Sequence, residues 1–203
     1  MADFPLTYTN VAGASVTVNP SSVEVNLNQR TVRTTSLSGR QQVRSFGTSY
    51  YNVTLTFPPL IEEDRAQVKA KLTSLRGGVN TFTIATDNFT SKKGSSTAEE
   101  ELGTGFSGAV GVTQVTTAGS NEFKPGEYFK FSNHTKVYQV ITCSGTTLTF
   151  EPFLQTAVAQ GSGHDIRSGA NFIMTCRLAD DNISYSQGVD GLSRISFTAI
   201  EAI

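Results

Sequence analysis

The stretch from Ser49 to Gly78 constrains the fold most, because it contains the clearest strand pattern and the only good helix pattern in the sequence. Residues 51–57 alternate aromatic or aliphatic side chains with Asn and Thr. This alternation is typical of a strand with one face against a core. Pro58 and Pro59 are expected to end the strand, because proline cannot donate a hydrogen bond to a neighbouring strand.

A helix is predicted next, over residues 61–76. Its apolar residues are spaced to line one stripe: Ile61, Val68, Leu72 and Leu75. Acidic residues fill the first turn and basic residues the later turns, which complements the helix dipole. Gly77-Gly78 is expected to cap the helix, and residues 79–85 again have a strand pattern. This segment therefore predicts a sheet with a helix on one face.

Composition favours a mainly β protein with one helix. The 203 residues carry a net charge of −1 and only 16% charged side chains, while Ser, Thr, Gly and Asn are abundant, as in short strands joined by turns. The balanced charge argues against electrostatic binding of nucleic acid or an anionic membrane by the whole molecule. With no leader pattern and no apolar run of membrane-spanning length, we expect a soluble protein without membrane insertion that is not exported by the usual route.

Residues 29–46 predict a long polar hairpin, which we call the arm. Ser38-Gly39 is a turn signal at its centre, and the arm has strand-like residues but few apolar ones. It carries four of the 16 basic residues and no acidic one. A solvated arm is the simplest interpretation, yet an isolated two-stranded hairpin is marginally stable in water. We therefore predict a subunit interface formed by Arg30, Val32, Arg33, Leu37, Arg40, Val43 and Arg44.

The domain organisation follows from where these patterns stop and return. Residues 1–14 are extended at best, and residues 87–105 predict a linker. Residues 106–168 have a second β pattern of four or five short strands, which suits a small barrel. From residue 170 the first pattern returns, with a hairpin signal at Asp190-Gly191. We expect residues 1–86 and 169–203 to form one domain, into which the barrel is inserted.

The sequence predicts no catalytic, cofactor or metal site. His134 and His164 are the only histidines and are not at a ligand spacing, and the usual hydrolase, phosphate-loop and zinc motifs are absent. Cys143 and Cys176 are interpreted as buried free thiols. We therefore expect a protein that is not an enzyme.

Two sets of aromatic residues are compatible with a binding site. Tyr128, Phe129 and Phe131, with Lys130 and Lys136, are typical either of a stacking platform or of a core strand. Alternation puts the two phenylalanines on the face opposite Tyr128 and Lys130, which favours core packing. Phe123 and Phe153, in turn positions, are candidates for saccharide binding.

Together these segments resemble the distal tail protein family of long-tailed bacteriophages. The segments that carry the resemblance are residues 50–78 running into Asn-Thr-Phe-Thr-Ile at 80–84, KPGEYFKF at 124–131, KVYQV at 136–140, LTFEP at 148–152 and YSQGVDGLSRI at 185–195. The resemblance extends over most of the chain in the same order, and only the stretch before Ser15 and residues 87–105 are uninformative.

The resemblance implies a β-sandwich belt domain with a helix and an inserted oligomer-binding-type barrel. It implies a hexameric ring at the distal end of the virion tail, assembled in the host cytoplasm, whose partners are the tail tube, tape-measure and tail hub proteins. It carries no catalytic residues. The alternative is a carbohydrate-binding or host-surface-binding module of a tail-tip or baseplate protein.

Overall fold

The computed structural model describes residues 3–85, 99–119, 123–160, 166–168, 172–188 and 191–203. Over these residues the protein is mainly β with a single helix, α1, at Glu62–Ser74. The strands are β1 Leu6–Thr9, β2 Ser15–Val18, β3 Ser22–Thr35, β4 Gln41–Thr56, β5 Phe82–Ile84, β6 Glu99–Glu100, β7 Ser107–Gly108, β8 Gln114–Thr116, β9 Tyr128–Phe131, β10 Val137–Ser144, β11 Thr147–Glu151, β12 Val158–Ala159, β13 Ile166–Ser168, β14 Met174–Leu178, β15 Tyr185–Gln187 and β16 Ser193–Glu201.

The first of two six-stranded sheets has the order β3-β4-β16-β14-β5, with β15 paired to β16 beside this path. Alternation along β4 buries Tyr51, Val53 and Leu55, as predicted from the sequence. Leu55 lies opposite Phe197 and Val53 opposite Ala199 in the antiparallel pairing of β4 with β16. The C-terminal strands therefore complete the sheet that the N-terminal strands begin.

Helix α1 covers one face of this sheet through Val68, Leu72 and Leu75, which are all buried in the same core. The helix is shorter than the predicted 61–76, because Ile61 is its N-cap and Leu75 its C-cap. Placing Ile61 on the buried stripe was wrong, since its side chain is 55% exposed. The chain reverses at Arg76 and Gly77, which have φ angles of 52° and 65°.

The second six-stranded sheet has the order β6-β13-β9-β10-β11-β8 and does not close into a barrel by strand pairing. One isolated bridge between Leu102 and Thr117 joins the segments that follow its two edge strands. The interior is a separate aromatic core in which Phe129, Phe131, Tyr138 and Phe150 contact one another, with ring centroids 5.1 to 6.1 Å apart. The described residues thus form two hydrophobic cores.

Part of the segment assigned to a linker belongs to this second core. The structure describes residues 99–105 of the 87–105 segment, and these contain β6, which pairs with β13, and the buried Leu102. The sequence pattern did not indicate a strand here, because β6 has only two residues and both are Glu. The remaining residues of the predicted linker lie outside the described ranges.

The N-terminal segment is more ordered than its weak pattern indicated. β1 pairs with β2, and Phe4 is fully buried against the rings of Phe57, Phe82 and Phe197, with centroids 5.5 to 5.9 Å away. The main chain of Phe4 also bonds to Thr83 and Ala85. Phe4 therefore packs this segment into the first core.

Substituting Phe4→Ala is expected to lower the free energy of unfolding by about 3 to 5 kcal/mol, the usual cost of a large cavity in an aromatic core. Chemical denaturation followed by circular dichroism measures this. Val11→Ala is the control, because Val11 is 97% exposed and should change stability by no more than about 0.5 kcal/mol. Equal effects of the two substitutions would contradict the packing of Phe4.

Candidate interaction surface

The arm is a hairpin formed by the distal halves of β3 and β4. Its strands pair from Thr31 opposite Ser45 to Thr35 opposite Gln41, and the turn between them is closed by hydrogen bonds between Ser36 and Arg40. Every residue from 26 to 45 is exposed, and Leu37 in the turn is fully exposed. Ten residues of strand extend about 30 Å, so the arm projects well beyond the first core.

Neither face of the arm is apolar enough to make a core. Val32 lies opposite Arg44, and Arg33 lies opposite Val43. Because directly opposite residues share one face of a hairpin, each face carries one valine and one arginine. The register changes between Gln29 and Thr31, so Arg30 sits at an irregularity in the ladder. All seven residues of the predicted interface thus lie together on one exposed hairpin.

The arm is also electrostatically unbalanced. It contains four arginines and no acidic residue, and none of the ion pairs between described residues involves it. Its side-chain hydrogen bonds over residues 31–45 join only residues of the arm and Gly47 next to it. Within the described chain, nothing neutralises or covers the arginines.

The base of the arm is held by the second unit. Gly47 has a φ angle of 71°, and a Cβ placed there would lie 2.2 Å from Cε1 of Phe153. Gln155 donates a hydrogen bond from Nε2 to the carbonyl of Gly47, at 3.3 Å. The positive φ angle and the close approach of the Phe153 ring both favour glycine at this position.

A buried ion pair next to this base joins the two units. Nζ of Lys136, in the second unit, lies 2.5 Å from Oε2 of Glu201 at the end of β16 and donates to the carbonyl of Ser49, at 2.8 Å. Glu201 also accepts from the main-chain N–H groups of Val137, at 2.6 Å, and Tyr51, at 3.2 Å. Side-chain exposure is 1% for Lys136 and 0% for Glu201. We call this group of contacts the joint.

Burial dominates the electrostatics of the joint. It lowers the pKa of Lys136 below 10.5 even though Glu201 favours the charged lysine. It raises the pKa of Glu201 above 4.5 even though Lys136 and the two N–H donors favour the carboxylate. Each charge therefore depends on the other for compensation, since either alone would be left in a medium of low polarity.

The joint was not predicted from the sequence, although the sequence indicates one of its two charged residues. Glu201 continues the period-2 series Ile195, Phe197, Ala199 on the buried face of β16. A carboxylate at a core-facing strand position indicates a buried partner. The sequence gives no comparable indication that Lys136, 65 residues earlier, is that partner.

The aromatic candidates are mostly used in packing, and core packing of the 128–131 strand is confirmed. Phe129 and Phe131 are fully buried, Tyr128 packs edge-on against Tyr51, Lys130 donates to the carbonyl of Ile173, and Lys136 is in the joint. Phe123 is buried against Phe129. Phe153 lies over Gly47 and is half-buried.

The other residues considered for chemistry are dispersed. His134 contacts Asn133 and the hydroxyl of Tyr138, and His164 lies outside the described residues. Both cysteines are free thiols, but only Cys176 is buried and Cys143 is half-buried, so its expected burial was wrong. In the described parts of the chain, no three His, Cys, Asp or Glu side chains are grouped as metal ligands, and no helix is long and apolar enough to cross a bilayer.

Searches with this sequence match no protein-family model and no curated protein.

Substituting Lys136→Met is expected to lower the free energy of unfolding by about 3 to 5 kcal/mol, because it leaves the Glu201 carboxylate buried without a counter-charge. Adding Glu201→Gln should recover part of this loss, since the charge is gone while the amide oxygen still accepts a main-chain N–H. Urea denaturation measures both. Lys124→Met removes an exposed lysine as a control, and a Lys136 effect no larger than this control would show that the pair is not needed.

The deficit of the Lys136→Met protein should also depend on pH. Burial raises the pKa of Glu201 in the folded state above its unfolded value, and removing Lys136 raises it further. Stability from such a group is present below the unfolded pKa and is lost as pH rises through the folded pKa. The difference in stability between wild type and variant should therefore be largest near neutral pH and shrink as pH falls towards 4.5. A deficit of equal size at both pH values would contradict the buried carboxylate.

Proposed function

We propose that this protein is a structural subunit of a bacteriophage tail, which assembles with copies of itself into a ring at the distal end of the tail. The observation that carries the proposal is the exposed, cationic, core-less arm projecting from a well-packed domain. The family resemblance of the sequence supplies the location and the hexameric symmetry. It also supplies the expected neighbours: the tail tube, tape-measure and tail hub proteins.

The physical case for self-assembly rests on the cost of holding the arm in water. A two-stranded hairpin with no apolar face gains little from folding alone. Docking on a neighbouring subunit would cover its valines and Leu37, pair its edges and neutralise its arginines. Since the arm and its receptor are different surfaces, the interface is head-to-tail, and such interfaces close into rings when the rotation between subunits permits.

The finer architecture belongs to the same proposal. We assign the first unit, with α1 on its sheet, to the belt of the ring, as a β-sandwich. We assign the second unit to an inserted oligomer-binding-type barrel, which the Leu102–Thr117 bridge between the two edges of its sheet supports. No enzymatic activity and no cofactor enter the proposal.

The partner of the arm is a protein surface in this proposal, and DNA is disfavoured. Four arginines on a thin hairpin would contact few phosphates, so binding would be weak and strongly dependent on salt. On a protein, arginine forks pair with carboxylates while the backbone of the arm adds to a sheet edge. Exposed ion pairs contribute only roughly 0 to 1 kcal/mol each, so backbone pairing would provide most of the affinity.

Replacing residues 31–43 by an Asn-Gly turn is expected to give a folded monomer, because these residues make no contact with either core. The wild type should form a ring of about six subunits. Changing the four arginines to glutamine should weaken assembly without abolishing it. Light scattering after size-exclusion chromatography, with negative-stain imaging of the wild type, measures all three.

The thermal unfolding of the shortened protein provides the control for folding, and it should match that of the wild-type monomer. A shortened protein that still assembles would contradict the role of the arm. So would a wild-type protein that stays monomeric at high concentration, or one that retards duplex DNA at physiological salt.

A further inference from the structure

A pocket lies between α1 and the β15–β16 hairpin, away from the arm. It has a volume of about 430 Å³, within the roughly 300 to 1,000 Å³ usual for ligand sites. The described residues that line it are Arg65, Ala66, Lys69, Tyr185, Ser186, Gln187 and Ser193. Two of them are cationic and none is acidic, so the pocket favours a negatively charged group.

Arg65 is held in position before any ligand arrives. Its Nη1 donates to Oε1 of Gln187, at 2.9 Å, and to Oγ of the buried Ser193, at 3.2 Å. Its Nη2 is 3.8 Å from the carboxylate of Glu62, which is 90% exposed. That distance is too long for a hydrogen bond, so Nη2 and Nε have donors to offer a carboxylate.

Lys69 extends the positive charge by one helical turn. Residues four apart on a helix are neighbours on its surface, so Arg65 and Lys69 face the same hairpin. Nζ of Lys69 lies 5.3 Å from the centre of the Tyr185 ring. The lysine therefore occupies the side of Tyr185 on which a sugar ring would otherwise stack.

The strand that forms the wall of this pocket has an open edge. β15 pairs only with β16 among the described strands. Ser193, directly opposite Gln187, exchanges both of its main-chain hydrogen bonds with Leu60, so its N–H and C=O point away from β15. In an antiparallel ladder the facing residue then points its own groups away as well. The N–H and C=O of Gln187, and by alternation those of Tyr185, thus face the open edge.

We propose that β15 and the pocket bind an extended acidic segment of a partner protein. The segment adds as a strand to the open edge, and one of its carboxylates lies against Arg65 and Lys69. Strand addition supplies affinity through the main chain, and the pocket supplies specificity for an acidic side chain. This surface lies at the opposite end of β16 from Glu201 and the base of the arm, and the inference does not depend on ring formation.

The test uses fluorescence polarisation with the full-length protein and three labelled eight-residue peptides. The first alternates threonine with glutamate, the second alternates threonine with lysine, and the third is the acidic peptide N-methylated at alternate residues. The acidic peptide should bind at least ten-fold more tightly than either of the others. Binding should weaken in 0.5 M salt, since the pocket is only partly buried.

Two pairs of variants separate charge from strand addition. Lys69→Glu should weaken binding of the acidic peptide at least ten-fold. Lys124→Glu makes the same charge change on the second unit and should not change the affinity. Gln187→Pro removes the outward N–H without breaking a ladder bond and should abolish binding. Gln187→Ala keeps that N–H, loses only the side-chain bond to Arg65, and should have a smaller effect.

Several results would overturn the proposal. They are no binding of the acidic peptide, equal binding of the acidic and basic peptides, or equal effects of Lys69→Glu and Lys124→Glu. Binding of polygalacturonate in place of the peptide would show a saccharide site instead. If Gln187→Pro does not fold, the N-methylated peptide tests strand addition on the wild type, and unchanged affinity for it would exclude that mode.

Discussion

The relative position of the two units depends on one buried ion pair, between Lys136 and Glu201. Each unit supplies one charge, and neither charge is stable out of water without the other. The carboxylate also binds main-chain N–H groups from both units, at Val137 and Tyr51. A displacement of one unit relative to the other would therefore break the ion pair, the bond from the Val137 N–H to Glu201 and the bond from Lys136 to the Ser49 carbonyl together, and this makes the arrangement specific.

The other contacts between the units are arranged around this pair. Val137 packs into the first core although it belongs to a strand of the second sheet. Thr135 donates to the carbonyl of Ala202, at 2.7 Å, and Tyr128 packs against Tyr51. The arm leaves the sheet within a few residues of these contacts, so its base lies where both units are most constrained while its tip touches neither.

The alternation of strands and the spacing of the helix predicted which side chains of β4 and α1 are buried. Alternation placed Val53 and Leu55 of β4 in the core, and helical spacing placed Val68 and Leu72 of α1 there. Ile61 was wrongly placed on the buried stripe of α1, because the helix begins one residue later than predicted and Ile61 is its N-cap. β1 was also missed, and it has only two apolar residues, Leu6 and Tyr8. β6 was missed because both of its residues are charged.

The candidate sites depend on contacts that local patterns do not contain. The arm could be located from its charge and lack of apolar residues, but the surface proposed to bind it is not part of the described chain. Lys136 and Glu201 are 65 residues apart, so their contact follows from the packing of two sheets. The pocket beside β15 likewise combines one turn of helix with a hairpin more than a hundred residues later.

The pairing of β6 with β13 has a consequence for how this chain can change by recombination. The first and last described strands of the second unit lie side by side, so a different unit with adjacent ends could take its place. Such an exchange would remove Lys136 and Phe153 with the old module, leaving Glu201 uncompensated and Gly47 uncovered. A replacement unit must therefore supply a cation to pair with Glu201 and a side chain to cover Gly47. Otherwise Glu201 and Gly47 must themselves be substituted.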